Sequence, residues 1–255
     1  MKKIDLKKVL LWVGMLWISF STIVQAQSYH PYKQRDKIAY RGYQYPLFPG
    51  TKAWEDLDYR INKYKLLLLT EDTLSTISTQ RLIETCLYYP MMIDVYGFDN
   101  MTEGFNIIKQ RFNGFVELFN RKDVTHELIN YYIKRNPNVI DSFNELYDQG
   151  LYSLDFVILE LMLSQPEFVS QLDNVQIKTL IKNILNKLES QSLLKQHYSE
   201  VFIPISANVL GRLLTQAGVF QNKSNSLYRF IESGKLENPQ DLLLIFEKSQ
   251  IFSNN

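Results

Sequence analysis

Cysteine is almost missing from this chain. Cys86 is the single thiol among 255 residues, which excludes intramolecular disulfides and the small scaffolds stapled by them. Glycine and proline number 10 and 8, too few for a collagen-like or low-complexity chain. Neither sign of charge dominates, and 28 basic against 27 acidic residues leave no basic excess for a phosphate backbone. Histidine is confined to His30, His126 and His197. His126-Glu127 has no second histidine four residues on, so the paired-ligand helix of zinc peptidases is absent. The Gly-x-Ser-x-Gly elbow of serine hydrolases and the glycine loops that cradle nucleotide phosphates are absent too. From these motifs no catalytic residue, no metal site and no cofactor is expected. What is present, 45% hydrophobic and 13% aromatic residues, suits a globular chain of one domain or two small ones.

The first 26 residues have a different pattern. Lys2, Lys3, Lys7 and Lys8 precede an apolar stretch from Val9 to Phe20, and Val24-Gln25-Ala26 ends the segment as a cleavage site would. This reads as a signal peptide over 1–26. Its apolar core of about 12 residues falls short of the roughly 20 that cross a bilayer, so no stable membrane span is expected after cleavage. The mature chain is expected to be exported, to the periplasm or the cell surface. Cys86 lies in an apolar helical pattern and reads as a small buried core residue. Cleavage would leave 24 basic and 26 acidic residues, unevenly spread. Residues 66–173 hold 7 basic and 16 acidic groups, between flanks of 8 and 4 (27–65) and 9 and 6 (174–255). A negative field there repels phosphates, so no nucleic acid partner is expected. It suits either a basic partner or a plain solvated helix surface.

Residues 27–52 read as an extended arm. Tyr29, Tyr32, Tyr40, Tyr43 and Tyr45 alternate with Lys33, Arg35, Lys37 and Arg41, and Pro31, Pro46 and Pro49 favour extended backbone. Such an arm either docks a partner or lays its tyrosines over an apolar edge of its own domain. From 53 to 255 the pattern is that of a helical domain. Ile177, Leu180, Ile181, Ile184, Leu185 and Leu188 form one stripe, with Lys178, Lys182, Asn183 and Lys187 opposite. Phe105, Ile108, Phe112, Phe115 and Phe119 recur likewise across 102–121, where Gly114 suggests a close backbone approach. Residues 155–163 (DFVILELML) are apolar nearly all round, as in a central helix. Asn100, Asn238-Pro239 and Gly150, Gly218 and Gly234 stand where helix starts and stops are wanted. Pro90, Pro137 and Pro166 each sit between a helical run and a second apolar pair. The expected fold is therefore all-α. It is either an irregular array of αα-hairpins, loosely of the HEAT or armadillo type, or a compact multi-helix bundle.

The stretch from Ser78 to Asp123 carries a resemblance. Leu82-Ile83-Glu84-Thr85-Cys86-Leu87-Tyr88-Tyr89-Pro90 and Phe112-Asn113-Gly114-Phe115-Val116-Glu117-Leu118-Phe119-Asn120-Arg121-Lys122-Asp123 resemble a group of exported, mostly helical proteins of unknown function from Bacteroides-type bacteria. The likeness covers about 80 residues. It implies a helical envelope protein and brings no catalytic residues with it.

Carboxylate pairs are the one catalytic arrangement that sequence spacing cannot exclude, because distant acids meet in a fold. The window Asp94-Val95-Tyr96-Gly97-Phe98-Asp99-Asn100, following Tyr88 and Tyr89, sets aromatic rings beside acids and an amide, as sugar sites do. Asp99 and Asn100 equally suit turn and capping roles, and the tyrosines suit packing between helices. The leading expectation is an exported, non-enzymatic interaction or accessory protein whose partner is another envelope protein. The alternatives are a glycan- or peptidoglycan-acting hydrolase using Asp94 and Asp99, and a glycan-binding module using Tyr88, Tyr89, Asp94, Tyr96, Asp99 and Asn100.

Overall fold

The computed structural model of the protein describes residues 41–58, 62–199, 202–221 and 224–254. Residues 1–26, expected to be a signal peptide, and residues 27–40 of the expected arm lie outside them. Among the described residues every regular element is a helix and no strand occurs, so the chain is all-α. No helix of the described residues is long and apolar enough to cross a membrane. The described residues fall into two compact units, 41–131 and 132–254.

In the first unit, α1 (Lys52–Glu55), α2 (Glu71–Thr76), α3 (Thr79–Leu87), α4 (Met101–Arg111) and α5 (Asn113–Asn120) are joined by 3-10 turns at Lys65–Leu67 and Met92–Gly97. Short side chains start these helices, and of these the sequence points to Asn100. Thr51, Thr70, Ser78 and Asn100 each accept a backbone N–H of the first turn. The single phenylalanine-rich helix expected over 102–121 is instead two helices. Phe112, with φ −121° and ψ 116°, breaks it between Arg111 and Asn113. Asn113 is drawn out of the helix interior because its amide pairs with both the N–H and the carbonyl of Leu69, at 3.0 and 2.7 Å. Phe105, Ile108, Phe112, Phe115 and Leu118 still share one buried face across the break. A Cβ on Gly114 would run into the Phe112 ring, so that glycine makes room for a neighbouring side chain and not for another backbone.

The close backbone approach occurs at Gly104. A Cβ there would lie 2.7 Å from the Val95 carbonyl oxygen and 2.7 Å from the Phe98 ring. A backbone carbonyl cannot turn aside as a side chain can, so Gly104→Ala is expected to destabilise by about 1–3 kcal/mol despite its better helix propensity. Gly150 has nothing within 4 Å of its would-be Cβ. Gly150→Ala should stabilise by up to about 1 kcal/mol. Urea unfolding of the two variants should move the midpoint in opposite directions.

Arg41–Gly50, within the described part of the arm, contains no helix or strand, whereas Thr51 and Lys52, which the sequence pattern also assigns to the arm, cap and begin α1. The Arg41 and Tyr43 N–H groups donate to Glu84 Oε2 (2.6 Å) and Thr85 Oγ1 (2.8 Å), and Arg81 Nε donates back to the Arg41 carbonyl (2.6 Å). Tyr45 is buried, with its hydroxyl on the Thr85 carbonyl and its ring edge-on to Tyr89. This segment is thus a strap along α3.

Helix α6 (Val124–Lys134) carries the boundary between the units. The second unit continues with a 3-10 turn at Pro137–Ser142, then α7 (Leu146–Leu163), α8 (Pro166–Val169), α9 (Asn174–Leu193), α10 (Ile203–Gln216), α11 (Asn225–Ser233) and α12 (Gln240–Asn254). Gly150 lies inside α7 and does not end a helix, whereas Gly218 and Gly234 take the left-handed conformation expected of them. Helix α7 is covered nearly all round, as its composition predicts. Helix α10 packs on α7, α9, α11 and α12, and α9 also packs on α12. That mutual packing makes this unit a multi-helix bundle and not a one-dimensional stack. Lys187 departs from the expected pattern: it is buried, not on the open face of α9.

Candidate functional site

The window predicted from sequence becomes the 3-10 turn Met92–Gly97 and the loop leading into α4. Its residues are divided between core and surface. Tyr88 and Tyr89 are buried. The Tyr89 ring stacks on Phe112 with centroids 4.2 Å apart, so its face is covered and unavailable to a sugar. Its hydroxyl is buried without a hydrogen-bond partner, and burial pushes its pKa up. Tyr96 and Asp99 are exposed. Asn100 caps α4 by accepting the Glu103 N–H at 2.8 Å. Asp94 is half-buried, and its Oδ2 accepts the Tyr64 hydroxyl at 2.6 Å.

Tyr64 and Arg111 are the members of this cluster that the sequence does not reveal. Arg111, the last residue of α4, lies over the Tyr64 ring at 4.8 Å from its centre. Burial raises the Tyr64 pKa and its bond to Asp94 raises it further, so the phenol keeps its proton and remains a donor. The arrangement holds two non-helical segments together. An acid spent on a phenol, beside a tyrosine with its face covered, sets no base against a nucleophile. Cys86 offers none either, because it is fully buried and burial raises its thiol pKa.

A second cluster, in the 132–254 unit, is built on Glu160. Its carboxylate accepts Tyr132 Oη at 2.7 Å and Ser206 Oγ at 2.5 Å. Lys187 Nζ donates to the carbonyls of Ile133 and Arg135 and stands 5.0 Å from the Tyr132 ring centre. Arg135 pairs with Asp155 and covers the Tyr152 ring. All four charged groups are buried. One signal in the sequence could have revealed this cluster: an acid inside DFVILELML has no open face to occupy.

Among the described residues no group of three or more His, Cys, Asp or Glu side chains stands together as a metal site would. His197, near the end of α9, bonds Asp141 at 3.0 Å. The two clusters are polar knots within an all-α protein. Compared with family models, characterised proteins and solved structures, the chain matches none.

Proposed function

We propose that this is an exported helical accessory protein that binds another envelope protein and catalyses no reaction. The observation that carries the reading is a set of exposed apolar side chains on two joined segments. Leu66 and Leu68 lie at one 3-10 turn, Ile93 and Tyr96 on the other, each 38 or 40% exposed, and the Tyr64–Asp94 bond ties the two segments. Exposed apolar side chains on segments held together in this way offer area for a protein contact. The signal-like residues 1–26 and the resemblance over Ser78–Asp123 support export to the periplasm or cell surface.

The test is capture from envelope extract by the wild type and by a Leu66→Asp/Ile93→Asp double variant. One protein retained by the first and lost by the second, with thermal stability unchanged, is the expected result. Equal capture by both, or retention or cleavage of a glycan, would overturn the reading and return the sugar-directed alternatives. The arm is best tested by deleting 27–40 alone, because deleting to 50 strips Tyr45 from Tyr89 and damages the fold.

A further inference from the structure

Glu160 sits where four helices of the second unit meet. Its own α7 brings the carboxylate, the end of α6 brings Tyr132, α10 brings Ser206 and α9 brings Lys187. Lys187 makes no direct ion pair with it. The ammonium is spent on the carbonyls of Ile133 and Arg135, which end α6. The other charged groups on elements packed against α7 are turned elsewhere. Arg135 is on Asp155, Asp141 is on His197, Arg212 is on carbonyls, and Glu167 is exposed on α8.

Both protonation states of Glu160 fit this cage. Ionised, it accepts from Tyr132 and Ser206. Protonated, it still accepts from Tyr132 and donates to Ser206 Oγ, whose own proton can turn to the carbonyl four residues back, as serine does inside helices. The difference lies in the charge, which is buried and has no contact partner of opposite sign. We propose that Glu160 is a proton-operated latch of the second unit. With its proton on, a neutral hydrogen-bonded knot holds α6, α7, α9 and α10 together, and loss of the proton loosens them.

Burial pushes the Glu160 carboxyl up to about 7, against the hydrogen bonds of Ser206 and Tyr132 and the charge of Lys187. Burial likewise pushes the Lys187 ammonium down to about 8. The folded state therefore holds the Glu160 proton more tightly than the unfolded chain. The stabilisation is fully present below about pH 4.5 and is lost as pH rises through about 7. The Lys187 contribution has the opposite sign. The unfolded chain binds that proton more tightly, so stability returns only as pH climbs from about 8 towards 10.5. The combined contribution of these two groups is smallest between these windows, near neutrality.

Hydrogen exchange of the purified protein reads this out, with the 41–131 unit as internal reference. Peptides from 146–163 and 203–216 are expected to lose roughly 50-fold in protection between pH 5 and 7.5, after correction for intrinsic exchange. Glu160→Gln, which mimics the protonated carboxyl, should abolish that loss. Protection independent of pH in the wild type, or the same loss in Glu160→Gln, overturns the latch. Should Glu160→Gln fail to fold, carbon-13 NMR of the wild-type carboxyl decides. A titration midpoint near 7 is expected, and one in the ordinary carboxylate range overturns the proposal.

Discussion

Replacing Arg212 by Met is expected to lower the stability of the second unit by roughly 3–5 kcal/mol. The last carbonyls of a helix have no partner within it. Arg212 supplies three of them from inside α10. Its Nε donates to Ile231 O (2.8 Å), Nη2 to Glu232 O (2.7 Å) and Nη1 to Ser164 O (2.7 Å). The first two end α11 and the third follows α7. Asn208, one turn earlier, adds bonds to the carbonyls of Phe230 and Ile231. Methionine fills much of the volume but leaves the Ser164 and Glu232 carbonyls without the guanidinium and the Ile231 carbonyl with Asn208 alone. Arg212→Lys should recover little, because an ammonium cannot span three acceptors set around a planar fork. Urea unfolding followed by circular dichroism measures the loss. A change below about 1 kcal/mol would show that water replaces the guanidinium and that the capping role is slight.

Phe112→Ala should cost the first unit a similar amount, about 3–5 kcal/mol, as deletion of a buried aromatic ring does. The ring is fully buried, stacked on Tyr89 at 4.2 Å and edge-on to Phe115 at 5.7 Å, with Tyr45 tilted against it at 6.2 Å. It also sits at the break between α4 and α5, which has no side-chain cap of its own. Losing it empties the place where strap, α3 and both helices meet. Two readouts are expected together: a lower unfolding midpoint, and faster protease cleavage within 41–50 as Tyr45 loses its support. Phe112→Leu should retain most of the stability. Equal protease resistance in Phe112→Ala would mean that the strap is held by its bonds to Glu84 and Thr85 alone.

Much of the fold was legible in the residue order because helix formation is local. The apolar stripe of α9, the all-round apolar α7 and the caps at Asn100, Gly218 and Gly234 all depend on neighbours within a few positions. The misses have a common cause. Lys187 falls on the polar side of a helical projection, yet its stem lies against Tyr132 and Phe156 and its charge finds the carbonyls of a different helix. Asn113 looks like one more helical residue until Leu69, 44 positions earlier, claims its amide. Gly104 carries no local signal of the Val95 carbonyl pressing on it.

The candidate site divides along the same line. Aromatic rings and acids do cluster at 88–100, and sequence alone determined that they would be neighbours, along with the all-α class and the lack of a second cysteine for a disulfide. Only the tertiary structure decided that Tyr89 faces Phe112, that Asp94 is bound to Tyr64, and that the acid in the most unusual environment is Glu160. Periodicity reports which face of a helix is apolar, through interactions a few residues apart. Which groups meet across helices depends on contacts between residues tens of positions apart, and no local pattern encodes those.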